Sequence, residues 1–421
     1  MLLQFSCENH KSIKEKVVLS MLAGSDTLRE ESLKQFGNYR ILRSAAIYGA
    51  NGSGKSSLIN AIDFAKALVV NSINHQPGQL IYQPFHKLSS KETPSVYDFQ
   101  FITKGIRYAY GFSIKNNLVD EEYLYYFPDG RRVKIFERNS MEITPGSKYK
   151  KKFDISYTVL KENRLFLSCA ANYSNLKELE NAFMFFSNEL VIYDAHVNNW
   201  REYSIRLMQE NPQMKEIFLM VLSILDTGIK DVKVRNEKVF INKSEIPEQF
   251  PEEIKNLIVS QETDIFEAKV VYEGFETDLF EEESTGVKKL FEIICPMLDI
   301  LQKGKVLIFD EIETGWHEAV VYKIIEMFHD LMPEQFAQLI FTTHDTSLLD
   351  GHLFRRDQIW FTELTPERAT DLFSLAEIKN VRKEENLSKG YMSGKYGGIP
   401  LLNDSVIQRI DFLSNEVGVN G

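Results

Sequence analysis

Two short stretches of this sequence have the residue types and spacing to handle a polyphosphate and a divalent metal. The first is Gly49-Ala50-Asn51-Gly52-Ser53-Gly54-Lys55-Ser56, a complete G-x-x-x-x-G-K-[ST]. Its glycines let the backbone N–H groups around Gly49, Asn51, Gly52, Ser53 and Gly54 curl about a phosphate at a helix start, where the helix dipole favours an anion. Lys55 can neutralise the β- and γ-oxygens and the Ser56 hydroxyl can ligate Mg²⁺, with Ser57 next to it on the same turn. A phosphate cradle alone hydrolyses nothing. The second stretch, Lys305-Val306-Leu307-Ile308-Phe309-Asp310-Glu311, supplies the missing acids. Asp310 can hold the metal, and Glu311 can orient and deprotonate an attacking water.

These groups work only if the chain brings them to one place. Ala45-Ala46-Ile47-Tyr48 reads as a strand running into the glycine loop, and the helical SLINAIDFAKAL follows it. Four apolar residues put Asp310 at the carboxyl edge of a parallel sheet, beside that loop, where ligands bind in such folds. From residue 264 strands and helices alternate: strand 266–274, helix 285–302, strand 305–309, helix 317–331 and strand 338–342. Such alternation is α/β, with a mostly parallel sheet. Residues 94–165 are rich in Tyr, Phe, Val and Ile and are cut by the turns Lys104-Gly105, Asn116-Asn117 and Pro128-Asp129-Gly130, which predicts an antiparallel meander. Residues 172–262 read mostly helical, with apolar spacing through Met208, Ile217, Leu219, Val221 and Leu225.

Composition narrows the class. With 43% apolar and 26% charged residues, the 421-residue chain can bury a sizeable core in one large or several small domains. Its 49 Lys+Arg against 60 Asp+Glu leave a net charge of −11, so no global field draws it to nucleic acid or an anionic membrane. Two basic stretches, Arg131-Arg132-Val133-Lys134 and Lys148-Tyr149-Lys150-Lys151-Lys152, could locally meet a phosphate backbone. Cys7, Cys169 and Cys295 are too few and too scattered for a disulfide framework or a zinc site. The longest apolar run, Phe218–Leu225, falls far short of a membrane span, which points to a cytoplasmic protein with no membrane partner.

The paired Asp310-Glu311 resembles the ABC-type branch of P-loop ATPases. Ile340-Phe341-Thr342-Thr343-His344-Asp345 resembles that branch's switch segment, which implies that His344 senses the γ-phosphate. Glu283-Ser284-Thr285-Gly286-Val287-Lys288-Lys289 resembles a degenerate signature motif and would put Ser284 and Gly286 against phosphate. Glu313-Thr314-Gly315-Trp316-His317 resembles the D-loop that communicates across a dimer. Phe5-Ser6-Cys7-Glu8-Asn9-His10-Lys11-Ser12-Ile13 resembles the N-terminal element of SMC- and RecF-like ATPases, in which Lys11 would approach the nucleotide phosphates. No coiled-coil arms are visible between Ser56 and Ser284.

Along most of the chain the sequence is similar to the armless ATPases of bacterial phage-defence and abortive-infection systems, the Rlo/Abi type. That likeness rests on Arg107-Tyr108-Ala109-Tyr110-Gly111-Phe112, on Leu165-Phe166-Leu167-Ser168-Cys169-Ala170-Ala171-Asn172, and on the segment from Lys389 to Pro400. It implies that Asn172 occupies the place of the glutamine that couples the metal to a helical lobe. The implied architecture is an α/β, ABC-type P-loop head with an ATPase core in 1–90 and 264–421. An antiparallel β subdomain would occupy 91–165 and a helical lobe 166–263. The implied activity is Mg²⁺-dependent ATP hydrolysis by a homodimer, or a higher oligomer of dimers, in which Ser284 and Gly286 complete the partner's site. Such a switch would control a separate effector such as a nuclease. The alternative is a RecF-like ATPase that gates a clamp on DNA; the acidic charge counts against its broad basic surface.

Overall fold

The computed structural model of the chain describes residues 1–194, 200–240, 262–330, 334–382 and 385–399. Parts of the expected helical lobe (195–199, 241–261) and of the expected core (331–333, 383–384, 400–421) lie outside the described residues, Pro400 among them. Numbered along the chain, the strands of the first half are β1 (Leu2–Glu8), β2 (Val17–Ser20), β3 (Lys34–Phe36), β4 (Tyr39–Ile41), β5 (Ser44–Gly49), β6 (Ser95–Thr103), β7 (Ile106–Lys115), β8 (Leu118–Phe127), β9 (Val133–Asn139) and β10 (Glu142–Pro145). The second half adds β11 (Leu190–Asp194), β12 (Asp231–Phe240), β13 (Glu262–Val271), β14 (Glu276–Asp278), β15 (Val306–Asp310), β16 (Gln338–Thr342), β17 (Ile359–Leu364) and β18 (Thr370–Ser374).

Every residue of β5 and β16 is buried, and in β15 only the terminal Asp310 is partly open. Strands apolar on both faces belong inside a covered parallel sheet. Here that sheet runs β11-β15-β16-β5-β17-β18, parallel throughout except for the final β17–β18 hairpin. Alternation divides each strand between two cores. Ala45, Ile47, Ile308 and Ile340 face one side, with Leu58, Ile62 and Ala65 of helix α1 (Lys55–Asn71). Ala46, Tyr48, Leu307, Phe309, Leu339 and Phe341 face the other, which the later helices cover.

The antiparallel sheet, β10-β9-β8-β7-β6-β1-β2, lies on the far side of α1 and shares its core. It is not confined to 91–165, because β1 and β2 of the N-terminal segment complete it. The cause is register: β1 pairs with β6 so that Phe5 faces Phe99 and Cys7 faces Tyr97, all buried. One N-terminal loop, between β1 and β2, is thereby carried to the start of α1.

The remaining helices are α2 (Asp154–Val159), α3 (Phe166–Tyr173), α4 (Lys177–Met184), α5 (Arg201–Glu210), α6 (Pro212–Ile224), α7 (Thr285–Lys303), α8 (Glu318–Asp330) and α9 (Leu387–Met392). The segment expected to be mostly helical is broken by two strands. Leu190-Val191-Ile192-Tyr193 is too short for a helix and joins the core sheet as β11, while alternating Val232 and Val234 mark β12, which pairs with β13. The Gly/Tyr segment after Lys389 is packed, not a free loop. Tyr391 and Tyr396 contact Phe361, Tyr391 also reaches Tyr48, and the Tyr391 hydroxyl donates to the Gly398 carbonyl at 2.9 Å.

A fully buried ion pair fixes α3 to the antiparallel sheet. Glu122 accepts the Phe166 and Leu167 N–H groups at 2.6 and 2.8 Å, the Tyr110 hydroxyl at 3.0 Å, and Arg138 at 3.4 Å. Removing Glu122 leaves two helix N–H groups unsatisfied and strips the buried Arg138 of its counter-charge, although its guanidinium keeps the carbonyls of Ser140, Lys161 and Arg164. Glu122→Ala is expected to cost about 3–5 kcal/mol of unfolding free energy, read by urea denaturation. A loss below about 1 kcal/mol would mean that the pair does not pin the helix.

Candidate active site

The glycine loop leaves β5 and enters α1 along a backbone that only glycine tolerates at Gly54. Its φ is +109°, and a Cβ there would sit 1.9 Å from Thr370 Oγ1. The loop is braced from two neighbouring elements. Ser53 Oγ lies 2.6 Å from Thr362 Oγ1 on β17, and Thr370 Oγ1 on β18 donates to the Ser53 carbonyl at 3.0 Å. From the β1–β2 loop, Ser12 Oγ donates to Ser57 Oγ at 2.8 Å and lies 2.7 Å from Thr370 Oγ1. Thr362 and Thr370 were not foreseen; no sequence motif marks them, because their role comes from the parallel pairing of β17 with β5. Asn51, Gly52 and Ser56 remain exposed on the open side of the loop.

Lys55 is 5% exposed, and its ammonium donates to the Gly49 carbonyl at 2.9 Å and the Ala50 carbonyl at 3.3 Å. Burial lowers its pKa from 10.5 to about 8, against the opposing pull of Asp310, Glu311 and Glu313. A cation enclosed by neutral carbonyls, with carboxylates farther off, is well placed to take up an oxyanion.

β15 and β16 run in register, Phe309 opposite Phe341, so Asp310 emerges beside Thr342. Thr342 Oγ1 donates to Asp310 Oδ1 at 2.5 Å and accepts the Glu311 N–H at 2.7 Å. One hydroxyl therefore fixes both acids, a role the sequence reading did not give Thr342. Glu311 has a left-handed backbone, φ +55°, which is strained for a non-glycine residue and is held by this contact. His344 follows β16. Its N–H donates to Glu313 Oε1 at 2.6 Å, and burial and then the Lys55 charge lower its imidazole pKa, with Glu313, Glu311 and Asp310 opposing. Lys55, Asp310, Glu311 and His344 thus meet at the carboxyl edge of one sheet.

Ser284 and Gly286 sit elsewhere on the same chain, at the exposed start of α7. Ser284 Oγ caps that helix by accepting the Val287 N–H at 3.3 Å, so a 19-residue helix points its positive end outward there. The helix is tied to the residues after Glu311, since Lys289 Nζ donates to the Thr314 carbonyl at 2.9 Å. His317 Nδ1 accepts the Ala319 N–H at 3.2 Å at the start of α8, a capping role. Lys11 is exposed, with a left-handed backbone (φ +50°), and its N–H donates to the Pro84 carbonyl at 2.6 Å. Asn172 is exposed at the end of α3, and its side-chain amide donates to the Ser168 carbonyl of its own helix at 2.8 Å. That hydrogen bond turns it along α3 and ties it to neither Ser56 nor Asp310.

The residue that does stand beside Asp310 is Asp194, its register partner where β11 meets β15. Its charge also helps, after burial, to raise the pKa of Asp63 on α1. The signal for Asp194 was in the sequence, because Leu190–Asp194 repeats the apolar-then-acid pattern of Val306–Asp310. Among the described residues no group of three or more His, Cys, Asp or Glu could cage a metal. Asp310 and Ser56 carry oxygen donors of the kind Mg²⁺ takes, an ion that uses one or two protein oxygens and completes its shell with phosphate and water.

Among solved structures the chain is similar to an SMC head bound to the C-winged helix domain of ScpA, at 15% identity over 89% of this chain and 97% of that one, with a TM-score of 0.46. It is also similar to the SMC head domain from Thermotoga maritima (12% identity, 89% and 98% covered, TM-score 0.42). A third is an SMC head with an extended coiled coil, bound to the C-terminal domain of ScpA, derived from Pyrococcus furiosus (14% identity, 89% and 96%, TM-score 0.40). No curated protein matches the chain. No described helix is long and apolar enough to cross a membrane. Residues 44–350, which hold the glycine loop, the acid pair and His344, match the family model described as "AAA domain, putative AbiEii toxin, Type IV TA system". The chain belongs to that AAA-domain family of P-loop ATPases.

Proposed function

We propose that this protein is an Mg²⁺-dependent ATPase that works as a dimeric switch in an abortive-infection type of defence system and controls an effector such as a nuclease. The observation that carries the ATPase reading is the Thr342 hydroxyl, which holds Asp310 and the backbone of Glu311 together beside Lys55. The loop N–H groups and Lys55 bind the β- and γ-phosphates. Ser56 and Asp310 would hold Mg²⁺, which would supply charge neutralisation for phosphoryl transfer when bound. Glu311 accepts a proton from the attacking water, and the sequence resemblance gives His344 the role of sensing the γ-phosphate. The defence role rests on the family's description and on the sequence resemblance. A DNA-clamp reading is opposed by the net charge of −11, and within the basic stretches Lys134 is paired with Glu137 at 2.7 Å and Lys148 with Glu178 at 3.0 Å.

The dimeric part of the proposal is tested in trans. Ser284 marks an exposed helix start, and Lys55 lies inside the glycine loop. If each protomer's α7 completes its partner's site, Ser284→Arg keeps ATP binding and loses hydrolysis, because a long cation blocks closure. Mixed with Lys55→Ala, each variant supplies what the other lacks, so one intact composite site forms per mixed dimer. Recovery of ATPase activity on mixing is the expected result. If subunits exchange and no activity returns, the composite-site mechanism is abandoned.

A further inference from the structure

Beside the phosphate loop lies a cavity of about 680 Å³. It borders Gly52, and its walls include Lys11, Tyr82, Phe85 and Arg368. We propose that this cavity takes the nucleobase of the bound nucleotide, with the base stacked on Tyr82 or Phe85; the proposal rests on the ATP-binding reading of the loop.

The argument begins with how residues 82–88 are built. Gln83, Pro84 and His86 are buried, whereas Tyr82, Phe85 and Leu88 are 74%, 37% and 63% exposed. This alternation does not arise from a loose loop. Gln83 Nε2 donates to the Thr93 carbonyl at 2.9 Å, the His86 N–H donates to Asn9 Oδ1 at 2.9 Å, and the Pro84 carbonyl accepts the Lys11 N–H at 2.6 Å. The segment is bolted to the β1–β2 loop, whose Ser12 is bonded to Ser57 at the first turn of α1. The backbone that carries two exposed aromatic rings is therefore held next to the phosphate site. Exposed rings on a tied-down loop are a stacking platform, since every base has an apolar π-face.

The rest of the lining suits the polar part of a nucleoside. Lys11, Lys87 and Arg368 line it as cations, the Glu367 carboxylate beside them is paired with Lys14 at 2.6 Å, and the volume is within the range of small-molecule sites. The cavity is continuous with the loop through Gly52, so one ligand can fill both: triphosphate on the glycine loop, base between the 82–88 segment and the β17–β18 turn.

The test compares Mg·ATP with Mg·tripolyphosphate, which has no base, by calorimetry on the full chain. Wild type is expected to bind ATP more tightly than tripolyphosphate. Tyr82→Ala combined with Phe85→Ala should weaken ATP by roughly 5- to 100-fold, the usual scale of one lost base–aromatic stack, and leave tripolyphosphate affinity unchanged. Tyr82→Phe in place of Tyr82→Ala, with Phe85 retained, should keep wild-type ATP affinity because the ring is kept. If the double variant binds ATP as wild type does, or loses ATP and tripolyphosphate equally, the base subsite is overturned while the phosphate loop stands. A wild-type chain that binds neither ligand overturns the ATP reading and this proposal with it.

Discussion

Glu311→Gln is expected to bind ATP with unchanged affinity and to hydrolyse it about 10²- to 10⁴-fold more slowly, the usual contribution of a positioned general base. The amide keeps the size of the carboxylate and makes no difference to the backbone, where the Glu311 N–H is held by Thr342. It removes only the ability to take a proton from water. The strained φ of +55° at Glu311 supports this assignment, because such a backbone persists where the surroundings over-determine it, and here those surroundings also hold Asp310. The measurement is a single-turnover assay beside a binding titration. Equal losses in binding and turnover would mean that Glu311 shapes the site; unchanged turnover would remove it as the base.

What the sequence could reveal of this site depended on how local each feature is. Gly49–Ser56 and Val306–Glu311 are contiguous motifs, so their strands, their helix and their chemistry could all be read together. The braces could not. Thr342 acts because β16 pairs with β15 in one register, Thr362 because β17 pairs with β5, and Thr370 because β18 pairs with β17; a one-residue slip would turn each to the opposite face. The split antiparallel sheet is a similar case, since nothing local in Leu2–Glu8 announces that it pairs with a strand some ninety residues later. Asp194 was legible in principle but was hidden by the helical periodicity assigned to 172–262, in which a five-residue strand carries little weight. Ser284 shows the opposite balance. Its segment departs from the signature pattern, yet the fold places it as the exposed cap of a long helix.

Lys55→Ala should lower ATP affinity by at least about a hundredfold, since a desolvated charge pair with phosphate contributes several kcal/mol and each tenfold is about 1.4 kcal/mol. The same lysine gives a pH test that needs no variant. Without nucleotide its pKa is lowered from 10.5 to about 8, chiefly by burial. Between those two values the unfolded chain holds the proton and the folded chain does not, so this group's contribution to stability rises with pH through that window. Below about 8 the enclosed charge is a cost, and Lys55→Ala should therefore not lower the unfolding temperature at neutral pH, even though it weakens ATP binding. Phosphate reverses the balance by favouring the ammonium. Binding above about pH 8 must then take up a proton, and ATP affinity should fall by up to about tenfold per pH unit while staying level below it. Calorimetry near pH 9 in two buffers of different ionisation enthalpy reads that proton directly. Affinity that stays level through pH 9.5, with no buffer-dependent heat, would show that Lys55 keeps its proton without ATP and is not the buried cation described here.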